Sequence, residues 1–226
     1  MPDFDIRLGN KKIDATYRVA KVEADFDVKP EHAKEHFVGE IKLPDKWSVG
    51  AIVGRSGTGK STIARQVFGD SYVRGYDYRA ASVIDDMPKG KTVEEIEKAF
   101  YTVGFGSVPC WLKPYSVLSQ GEKMRVDMAR ALLEKDEIVF DEFTSVVDRT
   151  VAQTVSLALS KGVRREGKRF VAVTCHRDIL DWLEPDWVFD TDTMQSFFGQ
   201  APGQKRFSRS GGAGEASGRN LGSITI

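Results

Sequence analysis

Two glycine-centred segments of this chain each open a helical pattern, and only one of them carries a lysine. The first is GRSGTGKST, Gly54 to Thr62. It matches G-x-x-x-x-G-K-[ST] in full, follows the apolar strand pattern of Ala51, Ile52 and Val53, and runs straight into a helix. Gly54, Gly57 and Gly59 let the backbone curl so that its N–H groups face phosphate oxygens, and the helix N-terminus adds partial positive charge. Lys60 is expected to reach the β/γ-phosphate oxygens and the Ser61 hydroxyl to ligate Mg²⁺. Arg55, Ser56, Thr58 and Thr62 complete the nucleotide-binding set. The second segment is LSQGE, Leu118 to Glu122. Its serine and glycine also suit an anion at a helix start, yet it has neither a lysine nor a metal ligand. It would complete a phosphate site rather than make one.

A P-loop needs a carboxylate at the end of a neighbouring strand to hold Mg²⁺. EIVFDE supplies two: Asp141 for the metal's water shell and Glu142 to polarise the attacking water. FVAVTCH repeats the arrangement, an apolar strand ending in His176, where a γ-phosphate sensor would stand. The catalytic candidates are therefore Lys60, Glu142 and His176.

These groups must be carried by an ordered set of elements. From residue 50 onward, apolar strand patterns alternate with helical ones, which implies a parallel, helix-covered sheet. STIARQVF, TVEEIEKAFYTVG, QGEKMRVDMARALLEK, DRTVAQTVSLALSKGVRREG and RDILDWL read as helices. Thr92 and Glu95 form a capping box, and Gly104 is a stop. EIVFDE, FVAVTCH and DWVFD read as strands, and SYVRGYDYRAASVID as strand-like. Upstream, VEADFDVK alternates apolar and polar residues, which predicts a half-buried strand. With FVGEIKL and WSVGAIVG it predicts an N-terminal antiparallel β layer. From residue 199 the chain is rich in Gly and Ser without apolar periodicity, so 199–226 reads as a disordered tail or linker behind a domain at 1–198.

The ordered set Gly54–Ser61, LSQGE, Asp141–Glu142, SVVD (Ser145 to Asp148) and His176 resembles the ATP-binding cassette (ABC) ATPases over roughly residues 15 to 195. The resemblance implies an α/β P-loop NTPase of ABC type. It has a mostly parallel core sheet, an N-terminal antiparallel β layer and a small helical lobe at about 86–134. It implies ATP and Mg²⁺ as cofactors, and a homodimer formed on ATP binding. In that dimer Ser119, Gln120, Gly121 and Glu122 act in trans on the partner's γ-phosphate, and Asp148 belongs to the dimer-contacting loop. Three departures stand out. Gln120 and Glu122 replace Gly and Gln of LSGGQ, and Glu122 adds negative charge near the triphosphate unless it points away. The family's Mg²⁺-coordinating glutamine has no match, and SVIDDMP puts Asp85 in its place, a candidate metal-shell ligand. The adenine-stacking aromatic is unassigned within Phe26 to His32. The wording FDEFTSVVDR, CHRDILDWLEPDW and LSxGE looks most like a soluble branch, some of whose members are fused to a predicted acetyltransferase domain. No acetyl-CoA loop appears in this chain.

Composition bounds the partners. Lys+Arg and Asp+Glu are 33 each, so no global field attracts nucleic acid. The longest apolar runs fall far below the roughly 20 residues of a membrane span, and the N-terminus lacks the apolar core of a signal peptide. Two cysteines form neither a disulfide framework nor a zinc cluster, which points to a reducing cytoplasm. Cys175 reads as a buried small hydrophobe, Trp182 and Trp187 as packing, and GVRREGKR as a solvated helix end. Three kinds of work fit an ATP-driven dimer. It could be a soluble mechanoenzyme acting on a protein or nucleic acid, the ATPase subunit of a transporter with a separate membrane subunit, or a slow ATP-gated binding module. The short interval between Asp85 and Leu118 and the missing glutamine favour the first.

Overall fold

The structure, a computed structural model, describes residues 2–8, 14, 16–28 and 35–199. In chain order these form β1 (Asp3–Leu8), α1 (Tyr17–Phe26), β2 (Glu35–Glu40), β3 (Val49–Val53) and α2 (Lys60–Phe68). Next come α3 (Val93–Thr102), α4 (Val108–Trp111), α5 (Gln120–Glu134), β4 (Glu137–Phe140) and α6 (Arg149–Glu166). The last elements are β5 (Arg169–Thr174), α7 (Leu180–Leu183), β6 (Trp187–Asp190) and β7 (Gln195–Phe198).

Five strands form the core sheet in the order β4-β5-β3-β6-β7. All pairs are parallel except β6 with the edge strand β7. β3 is buried at every position, because helices cover both faces. Val49, Ala51 and Val53 pack with the apolar faces of α3, α5 and α6. Ile52 points the other way, into a layer with Ile63 and Phe68 of α2 and Phe4 and Ile6 of β1. The alternation of a strand thus fills two cores at once. Trp187 lies in the second layer with no exposed surface, stacked on Phe68. It packs so close to β3 that a Cβ on Gly50 would sit 2.2 Å from its ring. Trp187 is therefore packing, as its sequence context predicts.

The β layer is smaller than expected. Among the described residues it holds only β1 and β2, paired antiparallel, and WSVGAIVG joins the parallel core instead. The described part of VEADFDVK, residues 22–28, is not a strand. Its first residues form the end of α1, which Thr16 caps by accepting a hydrogen bond from the Val19 amide. The residues of α1 include the good helix formers Ala, Lys and Glu. Alternation predicts a strand only where a sheet covers one face, and no residue of α1 is buried. SYVRGYDYRAASVID is likewise mostly irregular. Its one ladder contact is a bridge from Tyr72 to Val139, and tyrosines at 76 and 78 pack on α5 rather than pair in a sheet.

The helical predictions match. α3 begins with both hydrogen bonds of the Thr92–Glu95 capping box, and Gly104 follows its end at φ 71°. GVRREGKR is less solvated than expected: Arg164 pairs with Asp186, and Lys168 donates to the carbonyls of Leu132 and Lys135 at the end of α5. Cys175 is exposed rather than buried, because β5 ends at Thr174 and the chain turns out of the sheet. Residues 200–226, and with them nearly all of the expected tail, lie outside the described residues.

Candidate active site

Parallel strands bring their C-terminal ends to one edge, and register decides which residues meet there. Val53 pairs with Thr174 on one side and Asp190 on the other. The P-loop, the His176 turn and the loop after β6 therefore leave the sheet side by side. Phe140 pairs with Ala172, so Asp141 and Glu142 emerge at the same edge. The strand expected to hold the metal, β4, is not the neighbour of the P-loop strand that the sequence reading called for. β5 lies between them, its continuous apolar run FVAVT suiting an interior strand covered on both faces.

Gly54 turns away from β3 where a Cβ would come 2.1 Å from Thr191 Oγ1. Gly59 adopts φ 82° and caps α2, and a Cβ there would meet the Phe37 ring of β2 at 2.9 Å. Larger residues at either position would push the loop off its path. Lys60 is only 7% exposed, and its Nζ donates to the Arg55 carbonyl at 2.8 Å. The ammonium thus lies inside the curl of the loop. Thr58 donates to the same carbonyl at 2.8 Å. Ser61 and Thr62 occupy the first turn of α2, where backbone amides have no helical acceptor. Gly57, Arg55 and Ser56 are exposed at the loop's crest.

Asp141 is half-buried and accepts a short hydrogen bond from the Tyr72 hydroxyl. Burial, followed by that bond, pushes the Tyr72 phenol up to about 12, so it stays a donor throughout the physiological range. Glu142 adopts φ 51° and Thr144 φ 64°, an unusual pair for non-glycine residues, the second of them β-branched. Such strain persists where the surroundings over-determine it and is frequent at functional sites. Here the Phe143 amide donates to Val173 at 3.0 Å and the Ser145 amide to Glu142 at 3.0 Å. The Ser145 hydroxyl also donates to the Glu142 carboxylate at 2.6 Å, leaving that carboxylate exposed and aimed by one neighbour. His176 is half-buried, its amide donating to Thr174 Oγ1 at 3.1 Å.

LSQGE opens α5. Ser119 is its N-cap, accepting from the Glu122 amide at 3.3 Å, while the Glu122 carboxylate accepts from the Ser119 amide at 2.8 Å. Glu122 thus folds back onto the backbone, and the Cys110 thiol donates to it at 3.2 Å. The Ser119 amide, above all, holds the Glu122 carboxyl below its ordinary range. Ser119 and Gln120 are exposed. Gly121 packs against the 145–148 loop, where a Cβ would sit 2.7 Å from Val147. Asp148 caps α6, accepting from the amides of Thr150 and Val151.

Asp85 is not at a strand end. It lies in an exposed turn, accepting from Ser82 at 2.5 Å, and the flanking amides of Val83 and Ile84 bond to Lys113 and Trp111. Phe26 ends the exposed helix α1, and residues 29–32 of the expected adenine region lie outside the described residues. Sequence reasoning missed Tyr72 and Ser145 as supports for the two carboxylates. It also missed the charged turn after β6. Only the polar residues in DTDTM and the serine opening SVVD hinted at them.

Among the described residues, no group of three or more His, Cys, Asp or Glu side chains could hold a metal ion by itself. One hydroxyl and one carboxylate, such as Ser61 and Asp141, are a donor set that Mg²⁺ accepts, since it keeps few protein ligands and takes phosphate oxygens for the rest. Among the described residues, no helix is long and apolar enough to cross a membrane.

Two solved structures of the bacterial ABC transporter cassette MJ0796, a dimer and a dimeric post-hydrolysis state bound to ADP and Pi, superpose at TM-score 0.52. Each covers 69% of this chain and 87% of the cassette at 18% identity. The fold is that of an ABC cassette. Curated relatives share the description. An uncharacterized ABC transporter ATP-binding protein of Haemophilus influenzae is 31% identical over 47% of this chain and 55% of its own. The mitochondrial iron-sulfur clusters transporter ABCB7 of Oryzias latipes is 27% identical over 54% of this chain and 22% of its own. The chain thus spans about half or less of the curated relatives it matches. No protein-family model matches it.

Proposed function

We propose that this chain is an ATP hydrolase of the ABC class. Its two sites would form when two copies meet head to tail around ATP. The observation that carries the reading is the sheet register, which brings the buried Lys60 loop, the Asp141–Glu142 pair and His176 to one edge. The P-loop amides and Lys60 would hold the β/γ-phosphates. Ser61 and Asp141 would hold Mg²⁺, which when bound neutralises phosphate charge. Glu142, aimed by Ser145, takes the proton of the attacking water, and His176 contacts the γ-phosphate. Ser119 and Gly121 of the partner complete the site: the Ser119 oxygen accepts within its own cap, leaving its proton to donate across the interface. Gln120 lies exposed beside them, and Asp148 lies in the loop that would cross between copies. The dimeric state of MJ0796 supports this arrangement.

The work done by closure is read as that of a soluble mechanoenzyme on a protein or nucleic-acid partner, within the branch sometimes joined to an acetyltransferase. A transporter subunit docked to a separate membrane protein is the second reading, favoured by the transporter names of the curated relatives. Steady-state assay should show Mg²⁺-dependent ATP turnover. Fractionation with an ATP-dependent pull-down should find the chain away from membranes, with a soluble partner. Recovery with an integral membrane protein would give the second reading instead, and absent turnover would leave an ATP-gated module.

Asp85 is read as a turn residue rather than a metal-shell ligand, because Ser82 and the 111–113 backbone already hold its turn. Asp85→Ala is expected to keep turnover within about twofold and leave the Mg²⁺ titration unshifted, as for an exposed site away from the reacting atoms. A weakened Mg²⁺ dependence would restore the metal role.

A further inference from the structure

The two residues after His176 are both gripped by ion pairs from other elements. Arg177 places Nη1 2.8 Å from Asp190, and Nη2 2.9 Å from Asp190 and 3.0 Å from Asp192. Asp192 in turn accepts from the Arg55 amide at 3.3 Å and from Arg55 Nε at 3.0 Å. This arm therefore ends on the crest of the P-loop. Asp178 receives Arg149 in a two-pronged grip, Nε at 2.8 Å and Nη2 at 2.5 Å. Arg149 directly follows Asp148 of the dimer loop, and its guanidinium lies over the Trp182 ring at 5.4 Å. This second arm ends on the loop expected to meet another copy.

Stability is a weak reason for the second pair. Arg149 and Asp178 are 40% and 47% exposed, where ion pairs contribute little. Arginine in the first turn of α6 also opposes the helix dipole. What a bidentate arginine–carboxylate pair does supply is direction. The arms are short, and both attach within two residues of His176. A displacement of either the P-loop crest or the start of α6 is therefore passed to the histidine with little slack.

We propose that Arg177 and Asp178 are positioning residues that suspend His176 between its own P-loop and the dimer loop, with Arg149 as the anchor on the dimer side. The arrival of a second copy is then felt at the γ-phosphate contact through the Arg149–Asp178 arm. The inference rests on the ATPase reading above.

Charge reversal tests it in the full-length chain. Arg149→Asp and Asp178→Arg are each expected to lower kcat roughly 10- to 100-fold, the scale of a misplaced contact group. KM for ATP and the melting temperature should stay near those of the natural chain, because the P-loop and core are untouched. The double variant, with the charges exchanged, should recover most of kcat. Single variants with normal kcat would overturn the inference, as would losses that track melting temperature, a rise in KM alone, or an exchanged pair that recovers nothing. A natural chain without Mg²⁺-ATP turnover would instead overturn the ATPase reading and this inference with it. Normal activity in the variants of an active enzyme overturns only the inference.

Discussion

Glu142→Gln is expected to bind ATP like the natural chain and to hydrolyse it roughly 10²–10⁴-fold more slowly, the range for losing a general base. The substitution changes little else. Glutamine has the same length, and its side-chain oxygen can still accept from Ser145, which now lies 2.6 Å from the carboxylate. The positive φ of 51° at this position is set by the Phe143 and Ser145 amides, and they remain. The amide cannot take a proton from water. Among the described residues, no hydrogen bond joins Lys60 or the P-loop to residue 142, so nucleotide affinity should hold. With hydrolysis blocked, ATP should accumulate the closed dimer, seen as a shift to the dimer position in size-exclusion chromatography. Normal turnover in this variant would move the base role to another residue and leave Glu142 as part of a strained loop.

The gathering of the candidate residues at one sheet edge was largely legible because their motifs are local. A phosphate loop, a strand ending in acids and a strand ending in histidine can each be read within ten residues, and strand alternation with helices orders them. The supports were not legible, because they come from afar. Tyr72 reaches Asp141 across the sheet edge, and Asp192 reaches Arg55 from beyond β6. Neither sequence distance nor residue type announces such a meeting. The same limit explains the errors in the fold. VEADFDVK alternates like a strand, but alternation reports a face to be buried, and here no sheet lies against it. Cys175 follows an apolar run and so reads as buried, yet the run stops one residue earlier and the turn carries the thiol outward. Glu122 was the opposite case. Its charge looks troublesome beside a phosphate, and sequence reasoning missed the local signal that resolves it: the serine three residues before forms a capping box with it, and the carboxylate is spent on the Ser119 amide.

The shared site is the central claim, and two inactive variants test it together. Lys60→Ala removes the buried ammonium that is expected to hold the β/γ-phosphates. Ser119→Arg replaces the exposed hydroxyl at the start of α5 with a bulky cation. Each variant alone should be inactive, because every composite site in its homodimer contains one damaged half. A mixed dimer differs: one site joins the intact Lys60 of one copy to the intact Ser119 of the other, while its second site carries both lesions. With free exchange of subunits and independent sites, an equal mixture should recover at most about a quarter of natural activity, by the arithmetic of a two-fold dimer. ATP-dependent dimer formation measured in the same mixture guards against exchange that fails. Recovery toward that value is the result expected. Substantial turnover by the Ser119→Arg variant alone, or none in a mixture shown to form mixed dimers, would contradict the shared site.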